Sequence, residues 1–379
     1  MGSLLKIFGE QNVYDEALDR IRRIYDEFPE VVCSMSGGKD STVVYNLCLQ
    51  VAREKGRLPL KVLWIDQEAE WECTTEYVKS LMYNPDVDPY WMQIPFKIFN
   101  ATSTQHDSWL HAWEEGKEDV WIRPKDPIAK KENIYNNDRF VGLFGSIFAV
   151  EMKGKKAAYV TGMRAEESLN RYLGMSQALC YKDITWGTII DKNAEHYSFH
   201  PIYDWRTYDV WKAIHDNGWD YCKLYDYMYA YGLPLTKMRV SNITHETAIT
   251  SLFYLQEFEA ENYNRVQARL AGISMANHMG FDDYFPTELP PMFVSWKQYI
   301  MYLVEKLIKP ERREQFVKKF ETVFRRYDFV GEKALSKILV KTILTNDYHF
   351  TKLGNMTSNF NHTTAFKARK KELKAKGEY

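Results

Sequence analysis

Residues 31–42 read Val-Val-Cys-Ser-Met-Ser-Gly-Gly-Lys-Asp-Ser-Thr, a stretch that gathers groups able to act on a phosphate. Ser36 and Ser41 carry hydroxyls, Lys39 a full positive charge and Asp40 a carboxylate, while Gly37 and Gly38 leave the backbone uncovered. A short apolar run precedes them, and Val43, Val44, Leu47, Leu49 and Val51 follow in a helix-like pattern. That order predicts a strand, a glycine-rich turn and a helix N-terminus. Backbone N–H groups at such a turn converge on one spot, and the helix dipole adds partial positive charge there. The chemistry is that of a phosphate or pyrophosphate cradle. It is not a Walker A loop, which needs Gly where this chain has Cys33 and Ser or Thr directly after the lysine, where it has Asp40.

The elements around this turn alternate. Apolar residues at helical spacing in 13–28 predict a helix ended by Pro29, before the strand at 31–35. The helix after the turn runs to about Lys55, and Leu60–Asp66 reads as a second strand, a helix around 71–82 follows, and Tyr90–Pro95 reads as a third strand. Residues 97–135 are polar and aromatic with little periodicity, an insertion or a lid. After a helix near 137–152, a fourth strand at 157–161 delivers Gly162, Arg164, Glu167 and Arg171 to the edge that carries the turn. A hairpin at 181–199 and a helix at 207–217 complete the pattern. Strands alternating with helices imply a parallel sheet with right-handed crossovers, and ligands sit beyond the carboxyl ends of its strands. Strand signals stop after about residue 240, and 245–271, 296–307, 311–327 and 332–345 have helical patterning. The expectation is an α/β domain over 1–238, with a parallel five-stranded sheet and flanking helices, and a mainly helical, basic domain over 239–379.

The 379 residues allow two domains, and 45% hydrophobic content supports a sizeable core. The net charge of −1 hides an uneven distribution: residues 291–379 hold 19 Lys+Arg against 9 Asp+Glu. A basic C-terminal third suits a polyanion such as nucleic acid, an acidic partner surface, or simply a solvated helix face. The five cysteines, Cys33, Cys48, Cys73, Cys180 and Cys222, show no C-x-x-C spacing, which gives no support to zinc or iron–sulfur binding. Such a scattered set suits a reducing cytosol, so the expected location is cytoplasmic. No apolar run is long enough to span a membrane. His245-Glu246 lacks the second histidine of a metalloprotease motif, and no base-reading nucleic-acid motif stands out.

Four blocks carry a resemblance: Ser36–Ser41, Trp64-Ile-Asp66, Thr161-Gly-Met-Arg164 through Arg171, and Pro201–Trp205 with Asp209-Val-Trp211. Together they resemble the ATP-pyrophosphatase (PP-loop, adenine nucleotide alpha-hydrolase-like) superfamily, and within it the phosphoadenosine-phosphosulfate reductases and the small catalytic subunit of ATP sulfurylase. Asn217-Gly218 and Leu224-Tyr225-Asp226 extend the likeness. Lys237-Met-Arg239-Val and Ile343–Tyr348 resemble the extension of a mobile-element or phage-borne subgroup that includes immunoglobulin-binding regulators and is often encoded beside a ParB-like protein. Two departures matter. The reductases use a cysteine in a C-terminal E-C-G-hydrophobic-H setting, and no cysteine follows Cys222 here. The family's Asp-Thr-Gly after the second strand is here Asp66-Gln67-Glu68.

The resemblance implies ATP and Mg²⁺ as ligands and cleavage of ATP between the α and β phosphates, without sulfonucleotide reduction. Lys39, Asp40 and Arg164 are then the candidate catalytic residues. Ser36, Gly37, Gly38, Ser41, Asp66, Gly162, Glu167 and Arg171 are the candidate nucleotide contacts. Lys39 would stabilise charge that grows on the leaving group; Asp40 would hold Mg²⁺ directly or through water; Arg164 and Arg171 suit bidentate phosphate contacts; Glu167 would orient Arg164 or hold metal. Arg164 and Glu167 also fit a plain i,i+3 surface pair, and Asp204 and Asp209 fit helix capping and packing. Three functions compete: an enzyme transferring AMP to an acceptor, a nucleotide-sensing regulator, and a nucleic-acid-associated module acting with a ParB-like partner.

Overall fold

The computed structural model describes residues 9–100, 109–176, 178–236, 238–240, 242–245, 255–270, 286, 288–344, 347 and 349–377. Two units divide the chain, one of residues 1–98 and 111–242, the other of residues 99–110 and 243–379. In the first, α1 (Val13–Glu27) leads into β1 (Glu30–Ser34), then α2 (Lys39–Glu54), β2 (Leu60–Ile65), α3 (Glu72–Met82) and β3 (Val87–Met92). The short strands β4 (Phe96–Phe99) and β5 (Trp109–Ala112) pair as a separate two-stranded sheet. Then come α4 (Phe140–Glu151), β6 (Ala157–Val160), α5 (Leu169–Ser176), β7 (Gly187–Asp191), β8 (His196–Phe199), α6 (Thr207–Asp216) and α7 (Leu224–Ala230).

The main sheet has the order β3-β2-β1-β6-β8-β7. Five strands, β3 through β8, run parallel, as the alternation of elements predicts; β7 adds a sixth, antiparallel to β8 and bulged between Ile189 and Asp191. β1 lies inside the sheet between β2 and β6, and Val31, Val32 and Cys33 are buried in succession, the continuous apolar run of a strand covered on both faces. α1 starts where Asn12 accepts the N–H groups of Tyr14 and Asp15 at 3.0 and 2.9 Å. β3 begins at Val87 rather than Tyr90. Pro89, barred from a central strand, is accommodated because β3 is an edge. Its outer side is partly used: Lys130 donates to the Trp91 carbonyl at 2.8 Å and accepts from Gln93 N–H at 3.0 Å.

Of the expected insertion at 97–135, residues 101–108 lie outside the described residues. Within its remainder, Trp113, Ile122, Asp126 and Tyr135 are buried, so this stretch is packed structure.

In the second unit, the named elements beyond residue 243 are all helices: α8 (Ala260–Arg269), α9 (Trp296–Leu307), α10 (Pro310–Arg326), α11 (Glu332–Leu344), α12 (Thr351–Ser358) and α13 (Thr364–Ala375). The remainder of the expected helix at 245–271 falls largely outside the described residues. Ile300, Val304, Phe316, Phe320, Leu335, Leu339 and Phe366 form one buried cluster. The basic tail is therefore not a loose end. Thr363 caps α13 by accepting Phe366 N–H at 3.1 Å, and Phe366 stacks on Tyr327 at 5.4 Å between ring centroids. Among the described residues, no helix is long and apolar enough to cross a membrane.

Candidate active site

The turn between β1 and α2 is built around two glycines. Gly37 has φ +73°, and a Cβ there would lie 2.5 Å from Thr74 Cγ2, so both backbone and packing require glycine. Gly38 stands at the N-cap of α2 in extended conformation and offers no side chain to occupy the first-turn N–H groups. Several donors here hold weak or distant acceptors. Ser36 N–H reaches Ser41 Oγ at 3.3 Å, and Gly37 N–H meets the Met35 thioether at 3.4 Å. A phosphate oxygen is a far better acceptor than either. Ser41 is buried, donates to the Gly38 carbonyl at 2.8 Å and lies 3.1 Å from Ser36 Oγ, so its hydroxyl braces the turn while Ser36 is exposed. Lys39 N–H is taken by the Tyr225 hydroxyl at 2.9 Å.

The charges lie in a chain. Lys39, only 5% exposed, places Nζ 3.0 Å from Asp40 Oδ2. Asp40 Oδ1 accepts from Arg164 Nε at 2.6 Å, and Arg164 is itself 3% exposed. Lys39 and Asp40 are thus not on the open turn that their sequence position implies. Burial pushes the Lys39 ammonium below its ordinary pKa; Asp40 works against that shift, while Arg164 and Arg239 add to it. Partial burial and then the charge of Arg239 likewise depress Arg171. Arg164 and Arg239 thus bear on both Lys39 and Arg171, a gathering of positive charge that an added anion would relieve.

Glu167 forms an i,i+3 ion pair with Arg164 at 4.0 Å and pairs more closely with Arg171. The neighbour Glu166 holds Arg164 more tightly, accepting from its NH1 at 2.7 Å and from Thr207 N–H at 2.7 Å at the start of α6. Glu166 and Glu167 share a 3-10 turn, Ala165–Glu167. Gly162 serves as clearance: a Cβ there would lie 2.7 Å from the Asp40 carbonyl carbon and 2.9 Å from Ser41 N. Asp209, inside the first turn of α6, reaches back to accept the N–H of the N-cap residue Arg206 at 2.6 Å, and Asp204 grips Arg20 through both oxygens at 2.8 and 2.9 Å.

Asp66 lies just past β2, at the carboxyl edge of the sheet, but its carboxylate is enclosed. It accepts from Trp91 Nε1, Gln93 Nε2 and Glu68 N–H at 2.9, 2.9 and 3.0 Å, and Arg123 also pairs with it. A direct contact to a ribose would require exchanging these bonds. Glu68, at the position of the resembling pattern's glycine, has φ +65°, and its carboxylate accepts Trp113 N–H at 2.7 Å. Glu70 is pushed up to about 8 by burial and then by the charge of Asp66, against the pull of Arg123.

His196 and His200 begin and follow β8 and so stand at opposite ends of one strand, not as a metal pair. His200 is fully buried with Nδ1 2.7 Å from Thr161 Oγ1, and burial followed by the Arg171 charge holds it down to about 4. Among the described residues, no group of three His, Cys, Asp or Glu is placed to hold a metal. Mg²⁺ commonly binds through substrate phosphates and one or two carboxylates while keeping waters. Asp40 is the carboxylate nearest the turn, and its two oxygens face Lys39 and Arg164, so a metal ion there would have to share it with both cations.

Tyr225, Glu166, Arg123 and Arg239 join the site only through the folded structure. Tyr225, Glu166 and Arg239 lie inside the segments that carry the resemblance, so a signal for them existed. Arg123 lies in an aperiodic stretch and carried none.

The family described as phosphoadenosine phosphosulfate reductase domain matches residues 30–231, and one described as a domain of unknown function, DUF3440, matches residues 232–374. The uncharacterized protein YbdN of Escherichia coli (strain K12) is 30% identical over 329 residues, covering 82% of this chain and 78% of its own length. Among solved structures, the phosphate complex of phosphoadenylyl-sulfate reductase from Candida auris aligns at 16% identity with a TM-score of 0.34, covering 59% of this chain and 93% of that one. FMN adenylyltransferase from Candida glabrata, in complex with FMN and the ATP analogue AMPCPP, aligns at 15% identity with a TM-score of 0.36, covering 59% of this chain and 65% of that one.

Proposed function

Because the chain belongs to the phosphoadenosine phosphosulfate reductase domain family, we propose that it binds ATP at the β1–α2 turn and cleaves it between the α and β phosphates. A nucleophile on the acceptor attacks the α-phosphorus, the bond to the bridging oxygen breaks, AMP passes to the acceptor and pyrophosphate leaves. Gly37, Gly38, Ser36 and the first turn of α2 receive the pyrophosphate. Lys39 and Arg164 carry the charge that stabilises it, and Asp40 holds both cations in place. Arg171 and Arg239 add positive charge at the same place. Mg²⁺ bound with the nucleotide would neutralise further phosphate charge.

The observation that carries this reading is the buried Lys39–Asp40–Arg164 chain at a helix N-terminus, with Lys39 depressed by its own burial. The test is incubation with α-labelled ATP, Mg²⁺ and a panel of acceptors: oxyanions, nucleic-acid bases and proteins. AMP-bearing product with pyrophosphate is expected. No sulfite should be released from a sulfonucleotide with thioredoxin, because no cysteine follows Cys222 in this sequence. ADP with phosphate, or sulfite release, would overturn the assignment.

A second reading makes the protein a nucleic-acid-associated module acting with a ParB-like partner. The charge of residues 291–379 favours it, as do Lys367 and Lys371, exposed on α13. Arg369 and Lys376 contribute less, because they already pair with Asp328 and Glu372. Removing the tail is a poor test, since Phe366 and Leu373 are buried. Charge reversal, Lys367→Glu with Lys371→Glu, should instead weaken nucleic-acid retention on filters at low salt and flatten its salt dependence. Unchanged retention would remove this face from consideration.

A further inference from the structure

Two cysteines far apart in sequence meet beside the turn. Cys73 is the second residue of α3, and Cys222 lies between α6 and α7; their sulfurs are 3.9 Å apart. Cys222 is buried, whereas Cys73 is half-buried and within reach of a small oxidant. The first turn of a helix is a setting that suits a nucleophilic thiolate. We propose that Cys73 and Cys222 form a reversible disulfide under peroxide, and that its closure weakens nucleotide binding at the β1–α2 turn.

The chemistry balances. The Cys73 thiolate attacks one peroxide oxygen, the O–O bond breaks, and Cys73 becomes a sulfenic acid as water is released. The Cys222 thiolate then attacks the Cys73 sulfur, the S–S bond forms and the S–O bond breaks, releasing a second water. Two thiols are oxidised and one peroxide is reduced. The sulfurs need to approach from 3.9 Å to roughly 2.05 Å, a movement within the reach of side-chain rotation and a small helix shift.

Both cysteines are tied to the turn. Thr74, next to Cys73, lies 3.4 Å from Cys222 Sγ through its hydroxyl, and its methyl fills the space over Gly37 where a Cβ would lie 2.5 Å away. A shift of Thr74 therefore bears on the space directly over Gly37. On the other side, Tyr225 donates its N–H to the Cys222 carbonyl at 3.2 Å and holds Lys39 N–H by its hydroxyl at 2.9 Å. Drawing the sulfurs together therefore strains Gly37 from one side and Lys39 from the other. In a reducing cytosol such a bond is transient, as a sensing disulfide would be.

The coupling half of this inference rests on the proposed nucleotide site, and the experiment separates the two. The reduced full chain is treated with stoichiometric hydrogen peroxide and analysed by intact mass and peptide mapping, a readout independent of nucleotide. A Cys73–Cys222 cross-linked peptide is expected, lost in Cys73→Ser and in Cys222→Ala and reversed by dithiothreitol. ATP affinity is then measured for reduced and oxidised protein, and it should fall roughly tenfold on oxidation, but not in peroxide-treated Cys73→Ser. A cross-link through Cys180 or between chains, or sulfinic acid at Cys73 without cross-link, would overturn the disulfide. Equal ATP affinity in the two states would overturn the coupling. Failure of the reduced protein to bind ATP would strike the nucleotide site and, with it, the coupling, but leave the disulfide standing.

Discussion

Lys39→Ala should lower ATP turnover by at least about a hundredfold, the scale on which removal of one preorganised charge at a leaving group is felt. The ammonium stands at the N-terminus of α2, held by Asp40 at 3.0 Å. A site that pays to keep a charge buried keeps it for an anion, and burial does depress this lysine. Stability should change little in spite of the burial. Losing Lys39 relieves a desolvated charge, and Asp40 retains its bond to Arg164 at 2.6 Å. Steady-state turnover with α-labelled ATP, beside thermal melting of the same variant, checks both halves. Turnover at the parent rate would mean that the turn does not handle the leaving group.

Asp40→Ala should behave differently, losing turnover and also about 3 kcal/mol of stability. Its carboxylate joins two buried cations, and its removal leaves Lys39 without that partner and Arg164 with Glu166 as its near carboxylate. An exposed turn residue would cost within about 0.5 kcal/mol, the expectation that sequence position alone supports. Asp40→Asn, which keeps shape and one acceptor oxygen, should recover part of the stability but not the turnover. Urea unfolding of the two variants and the parent is the check; equal midpoints for Asp40→Ala and parent would show that the ion chain contributes nothing to the fold.

The parts of this molecule legible from sequence are those governed by near neighbours. Alternation of apolar runs gives five parallel strands, and the glycine-rich turn gives the strand-to-helix junction at residue 39. The helices at 296–307, 310–326 and 332–344 follow from their spacing, to within a residue. What was not legible depends on residues distant in sequence or on turn geometry. Tyr225 reaches Lys39 across 186 positions. Glu166 holds Arg164 more tightly than Glu167 does, in a segment that is a 3-10 turn. The enclosure of Asp66 comes from Trp91, Gln93 and Arg123, two of them on or beside a strand whose start Pro89 obscured, the third in an aperiodic stretch. Gly162 reads from sequence as a nucleotide contact, and only the fold reveals that a methyl group there would strike the backbone of Asp40.

The two borders of the main sheet bear on assembly. β3 carries Pro89 and has its outer side partly occupied by Lys130, and β7 is five residues long, antiparallel and bulged. A bulge, a proline and a covered edge are the devices by which strands refuse further pairing. Neither border offers a straight ladder of backbone groups to a visiting strand. Strand addition to either border of this sheet is thus obstructed, and that route is the one that accepts almost any extended chain. For a unit that would hand an activated group to one particular acceptor, closing the indiscriminate route is itself a form of selectivity.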